Sequence, residues 1–145
     1  MKDSGLALSK RRIASIQIER SVQLLTEFND PVCALVLAAA AEEILGKMTL
    51  RKGEIPQVEN LAEILGQFYD LAGKPRPSKT ERIRAHNRIR NELKHNDGGK
   101  NVRVVADFQF EAEEMLIRAI KNYFNTFKCM PNNQNVREWF DFICS

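Results

Sequence analysis

The stretch that most constrains this chain is Pro31–Lys47, PVCALVLAAAAEEILGK. Pro31 to Ala41 is apolar without a break. That is roughly half of the ~20 residues a membrane-spanning helix needs. A helix apolar almost all round has to be enclosed by other helices, so this one belongs at the centre of a bundle. Its alanines let neighbours approach closely. Asp30 followed by Pro31 supplies an N-cap and a proline at the first helical position.

The rest of the chain reads as helices to surround it. The spacing predicts a first helix from Leu6 to Phe28, with Ile18, Val22, Leu25 and Phe28 on one stripe. The central helix runs to Met48, and Gly53 and Pro56 mark a loop. A third helix spans Val58 to Leu71, with Leu61, Ile64, Leu65, Phe68 and Leu71 at the i, i+3, i+4, i+7 spacing of a core-facing stripe. After the breaker AGKPRPSK, Ser78 and Glu81 form a capping box that opens a fourth helix. Asn96-Asp97-Gly98-Gly99 stops it. A fifth helix covers Asp107 to Lys128, and a short last one holds Val136, Trp139, Phe140 and Ile143. NVRVV is extended in character but has no partner strand. The expected architecture is all-α: an up-and-down bundle of four main helices with short accessory helices, one domain over residues 1–145. Most aromatic side chains sit at helical spacing, which places them in the core by default.

Composition narrows the functional classes. The chain is 43% hydrophobic and 28% charged, which is ordinary for a soluble globular protein. Its length allows about 70% of the unfolded surface to be buried without a disulfide or metal staple. Cys33, Cys129 and Cys144 form no CxxC pair, and only two histidines are present. Together these point to a reduced, cytoplasmic setting and to no metal site and no cofactor. No signal-peptide core or membrane span is expected.

The net charge is only +3 but is uneven. Lys74 to Arg103 carries ten Lys/Arg against three acids, a local charge of +7, which leaves −4 for the remainder. Such a concentration fits an anionic partner such as nucleic acid, or a solvated helix face. On a wheel of about 100° per residue, Ala85, Ile89 and Leu93 of the fourth helix face the core. Arg90 flanks that stripe, and Asn87, Asn91 and Lys94 turn away from it. His86 lies on the core side and reads as a structural histidine bonded to a carbonyl or an acid. Arg90 and His95 are about 140° apart, too far round one helix to meet. Two copies packed face to face would bring them together. Glu42 and Glu43, in an otherwise apolar helix, need a partner or an exposed helix end. An ion pair with Arg90 or another arginine of the fourth helix meets that need.

Histidine and arginine in one cleft suit RNA cleavage. The 2′-OH loses a proton, the 5′-oxygen gains one, and the intermediate is more negative than the diester. Imidazole moves protons near neutral pH, and guanidinium grips phosphate oxygens. The bland readings are a histidine capping a helix end and a surface arginine.

RNELKH, Arg90 to His95, resembles the R-x4–6-H motif of the HEPN (higher eukaryote and prokaryote nucleotide-binding) family, with the polar Asn91 directly after the arginine. The helix order agrees, and AAAAEEILGK is similar to the family's second-helix segment. The resemblance covers the first helix through Phe127. It implies a metal-independent endoribonuclease of the toxin or phage-defence type, a homodimer with a composite site. Arg90, His95 and Asn91 would then be catalytic, with Asn87, Lys94 and Arg84 on substrate and Glu43 or Glu42 as a supporting acid. RNA is the expected partner, with a separate antitoxin or regulatory protein and no membrane. The alternative is a non-catalytic HEPN module that binds nucleotide, RNA or a partner protein.

Overall fold

Helix α2, Pro31–Arg51, lies at the centre of the bundle. Asp30 caps it by accepting the Cys33 N–H at 3.1 Å. It runs nearly a turn past Met48 and closes before Gly53, whose φ of 76° is a left-handed conformation that glycine adopts at little cost. Ala34, Leu35, Ala38, Ala39, Ala41 and Leu45 are all at most 1% exposed. Burying each of the two leucines contributes about 1.5–3 kcal/mol. This is a computed structural model, and it describes residues 5–95 and 103–145. The expected stop at Asn96–Gly99 and the cation Lys100 lie outside the described residues.

Helix α1, Lys10–Thr26, packs along α2 and starts later than Leu6, because Ser9 Oγ accepts the Arg12 N–H at 3.0 Å and fixes the first turn there. Helix α6, Phe108–Phe127, is the main partner of α2. Glu42 meets Arg118, and Thr49 meets Thr126. The two numberings rise together, so α2 and α6 run in the same direction and the chain crosses over between them. Asp107 and Lys128, expected inside this helix, are its two caps. Helix α7, Gln134–Cys144, is capped by Asn133 and packs on α1 through the fully buried Val136. Apart from Ala62 of α3, the buried apolar residues form one cluster drawn from α1, α2, α6, α7 and Ile89.

Helices α3, Gln57–Leu71, and α4, Lys79–His86, pair as a hairpin beside this core. The capping box of Ser78 and Glu81 forms as expected. The apolar stripe of α3 does not face inward. Ile64, Phe68 and Leu71 are exposed, and only Ala62 and Gly66 are buried. The inner face of α3 is occupied by two guanidiniums instead. Arg82 donates to the Ala62 carbonyl at 2.9 Å, and a β-carbon on Gly66 would sit 2.9 Å from Arg76 Nη1. The small side chains of Ala62 and Gly66 let these arginines lie close against α3. Phe110, Phe124 and Phe142 also point outward rather than into the core.

The expected fourth helix is two helices. Helix α5, Arg88–Lys94, follows α4 after a break at Asn87, whose φ and ψ are −102° and 6°. Among the described residues no strand occurs. No described helix is long and apolar enough to cross a membrane.

Candidate functional site

The break at Asn87 has an electrostatic cause. Arg118 reaches across from α6. It donates to Asn87 Oδ1 at 2.8 Å and to the His86 carbonyl at 3.3 Å. In an unbroken helix that carbonyl would accept the Arg90 N–H. Capture of one carbonyl by an inserted side chain is a recognised cause of a helix kink. The break shifts the register of the wheel. Asn87, expected to face away from the core, is buried, and Ala85, expected in the core, is exposed. His86 is partly buried as expected, but its Nε2 has no partner among the described residues.

Beneath the break lies a buried charge cluster. Glu42 Oε1 accepts from Arg118 at 2.8 Å, and Oε2 accepts from Arg90 at 3.0 Å. The carboxylate side chain is 4% exposed and that of Arg90 15%. The pairing expected between Glu42 and an arginine of this region therefore forms. Arg118 was not expected; its signal was an arginine between Met115 and Asn122 on the buried stripe of α6. Two guanidiniums on one buried carboxylate hold α2, α5 and α6 together, and removing Glu42 leaves both cations without their counterpart.

Above the break, the outer face of α4 and α5 carries Arg84, Arg88, Asn91 and His95. Asn87 interrupts the helix between Arg84 and Arg88, and His95 is already extended, so it is the fold that brings these four residues to one side. With Glu92, Arg103 and Val104 they line an open cleft of about 470 Å³. His95 ends α5. Its N–H donates to the Asn91 carbonyl at 3.1 Å, and its own backbone is extended. The imidazole is exposed, so water and ligands reach it. Among the described residues Glu92 is the only acid of the cleft, and it pairs with Arg88 at 3.0 Å. Three guanidiniums against one carboxylate leave the cleft positive, and a positive, open cleft holding an imidazole can bind an anion and exchange a proton with it.

The expected site residues are divided between these regions. His95, Asn91 and Arg84 line the cleft. Arg90 points the other way, into the bundle and onto Glu42. Asn87 is buried on Arg118. Lys94 turns to Glu43 at 3.0 Å on the far side of α5. Glu42 and Glu43 are ion-pair partners and do not line the His95 cleft. Much of the basic segment is neutralised in the same way. Arg76, Lys79, Arg88, Arg90 and Lys94 are paired with carboxylates, and Arg82 with carbonyls. Arg88 and Arg103 were not singled out by sequence. Arg88 was legible four residues after Arg84, whereas Arg103 reaches the cleft only through the fold.

Compared with family models, curated proteins and solved structures, the chain matches none.

Proposed function

We propose that this chain is a metal-independent endoribonuclease that acts as a homodimer. The observation that carries the reading is the single face of α4 and α5 on which Arg84, Arg88, Asn91 and an exposed His95 converge. The resemblance of Arg90–His95 to the HEPN motif supports it. His95 moves the proton between the 2′-OH, the phosphate and the 5′-oxygen, together with its symmetry mate. Arg84, Arg88 and Arg103 hold the phosphate, and Asn91 orients it or the imidazole. Arg90 is tied to Glu42 and serves here as a positioning residue that keeps α5, and so His95, against α2.

The test is cleavage of RNA by the purified chain in EDTA, with the 3′ end analysed. The expected product carries a 2′,3′-cyclic phosphate, and His95→Ala abolishes cutting without altering the fold. Undiminished cutting by His95→Ala removes the assignment. Arg90→Lys discriminates the two roles of the arginine. It retains most activity if Arg90 only positions α5, and it loses activity if the planar fork grips phosphate. The engagement of Arg90 by Glu42 also favours a second reading, a non-catalytic module that binds RNA, nucleotide or a partner protein. RNA bound in the cleft with no turnover would establish it.

A further inference from the structure

A second groove, of about 440 Å³, lies across α5 from the His95 cleft, between the start of α1, the C-terminal half of α2 and the end of α5. Its floor is aliphatic. Ala40, Ile44 and Met48 recur every fourth residue, so they form a stripe along ~12 Å of α2. Its rim is cationic and comes from three helices: Lys10, Lys47, Arg51 and Lys94. The one carboxylate there, Glu43, is already held by Lys94 at 3.0 Å and Lys47 at 3.2 Å. Those two ammonium groups keep its carboxyl below the usual range. Lys10 and Arg51 have no carboxylate partner among the described residues.

An aliphatic stripe inside a ring of cations is a specific chemical demand. Grooves for single-stranded nucleic acid interleave cations with aromatic faces on which bases stack. Among the described residues no aromatic side chain lines this one. An amphipathic helix with acidic flanks satisfies both floor and rim, in the manner of a helix laid in a groove.

We propose that this groove docks an acidic amphipathic helix of a partner protein. The aliphatic side chains of that helix rest on Ile44 and Met48, and its carboxylates meet Lys10, Lys47, Arg51 and Lys94. Lys94 forms one wall, and the next residue, His95, opens the neighbouring cleft. A helix seated here contacts the end of α5, whose last residue precedes His95, and so bears on the position of the imidazole from the opposite side. That regulatory consequence, unlike the docking itself, rests on the ribonuclease reading.

The probe is a synthetic helix-stapled peptide of about four turns, with leucines on one face and glutamates flanking them. Two controls have the same length: one scrambles the order, and one replaces glutamate by lysine. Binding to the full chain is read by fluorescence anisotropy. The acidic amphipathic peptide is expected to bind at least about tenfold tighter than either control, and to weaken as salt rises. The double variant Lys47→Glu/Arg51→Glu, both sites being exposed, weakens it by a similar factor while its circular-dichroism spectrum stays that of the folded helical chain. Equal binding of all three peptides overturns the proposal. So does undiminished binding to the double variant. Preferential binding of oligouridine that the double variant abolishes overturns it in favour of RNA. Peptide binding by a chain that cuts no RNA sinks the ribonuclease reading alone. RNA cutting by a chain that ignores the peptide sinks the docking site alone.

Discussion

Glu42 is a carboxylate inside a bundle, gripped on one oxygen by Arg118 and on the other by Arg90. A glutamate in an apolar helix announces that it needs a cation, and that much is legible in AAAAEEILGK. Which cation reaches it is a matter of three-dimensional packing. Arg90 was a candidate. Arg118 is marked only by its place on the buried stripe of α6, which shows that it needs a partner and not which one. Replacing Glu42 by Ala leaves two buried guanidiniums without their counterion, and the expected loss is about 3–5 kcal/mol in urea denaturation. By contrast, Arg84→Ala removes an exposed side chain that no carboxylate holds among the described residues, so it should leave Tm within ~1 °C while weakening RNA binding.

The helical element that matters most is the one that is broken. α4 and α5 read as a single helix in sequence because every residue from Lys79 to Lys94 tolerates helix. Asn87 is merely a weak helix former there. The break comes from a guanidinium on α6 that captures the His86 carbonyl and the Asn87 side chain. Asn87→Ala removes an acceptor from a buried arginine and should cost about 1–3 kcal/mol, measured by chemical denaturation. The helix starts were far more legible. Asp30, Ser78 and Glu81 cap where the sequence placed them, because a cap is a contact between residues two or three apart.

For the whole molecule, charge is distributed so that five cations of the basic segment are matched by carboxylates while the His95 cleft and the groove across α5 keep a cationic excess among the described residues. Asp30, Glu43, Asp70 and Glu81 all have carboxyls held below their ordinary range. The donors are the Cys33 N–H for Asp30, Lys94 and Lys47 for Glu43, Arg76 for Asp70, and the Ser78 N–H for Glu81. Below about pH 4.5 the unfolded chain therefore binds more protons than the folded one. The stability these groups contribute is fully present above that pH and is lost as pH falls through their depressed folded values. A Tm series from pH 6 to pH 3 should stay level and then drop, and a Tm that rises on acidification would contradict the pairings. The proposed ribonuclease reading carries an assembly requirement. Sedimentation at micromolar concentration should give a dimer, with His95 clefts facing across the twofold axis. A chain that remains solitary would remove the second imidazole from the reading.

Local patterns alone determined the helical class, the central place of α2, the caps, and the need of Glu42 for a cation. Each depends on contacts within a few residues or on apolar surface that must leave water. Only the tertiary structure decided that Arg90 faces inward, that Asn87 is buried, that the stripe of α3 is exposed, and that Arg103 joins Arg84 and His95. Those outcomes depend on which long side chain reaches which distant carbonyl or carboxylate. A wheel drawn on one isolated helix contains no information about the arginine waiting on the next.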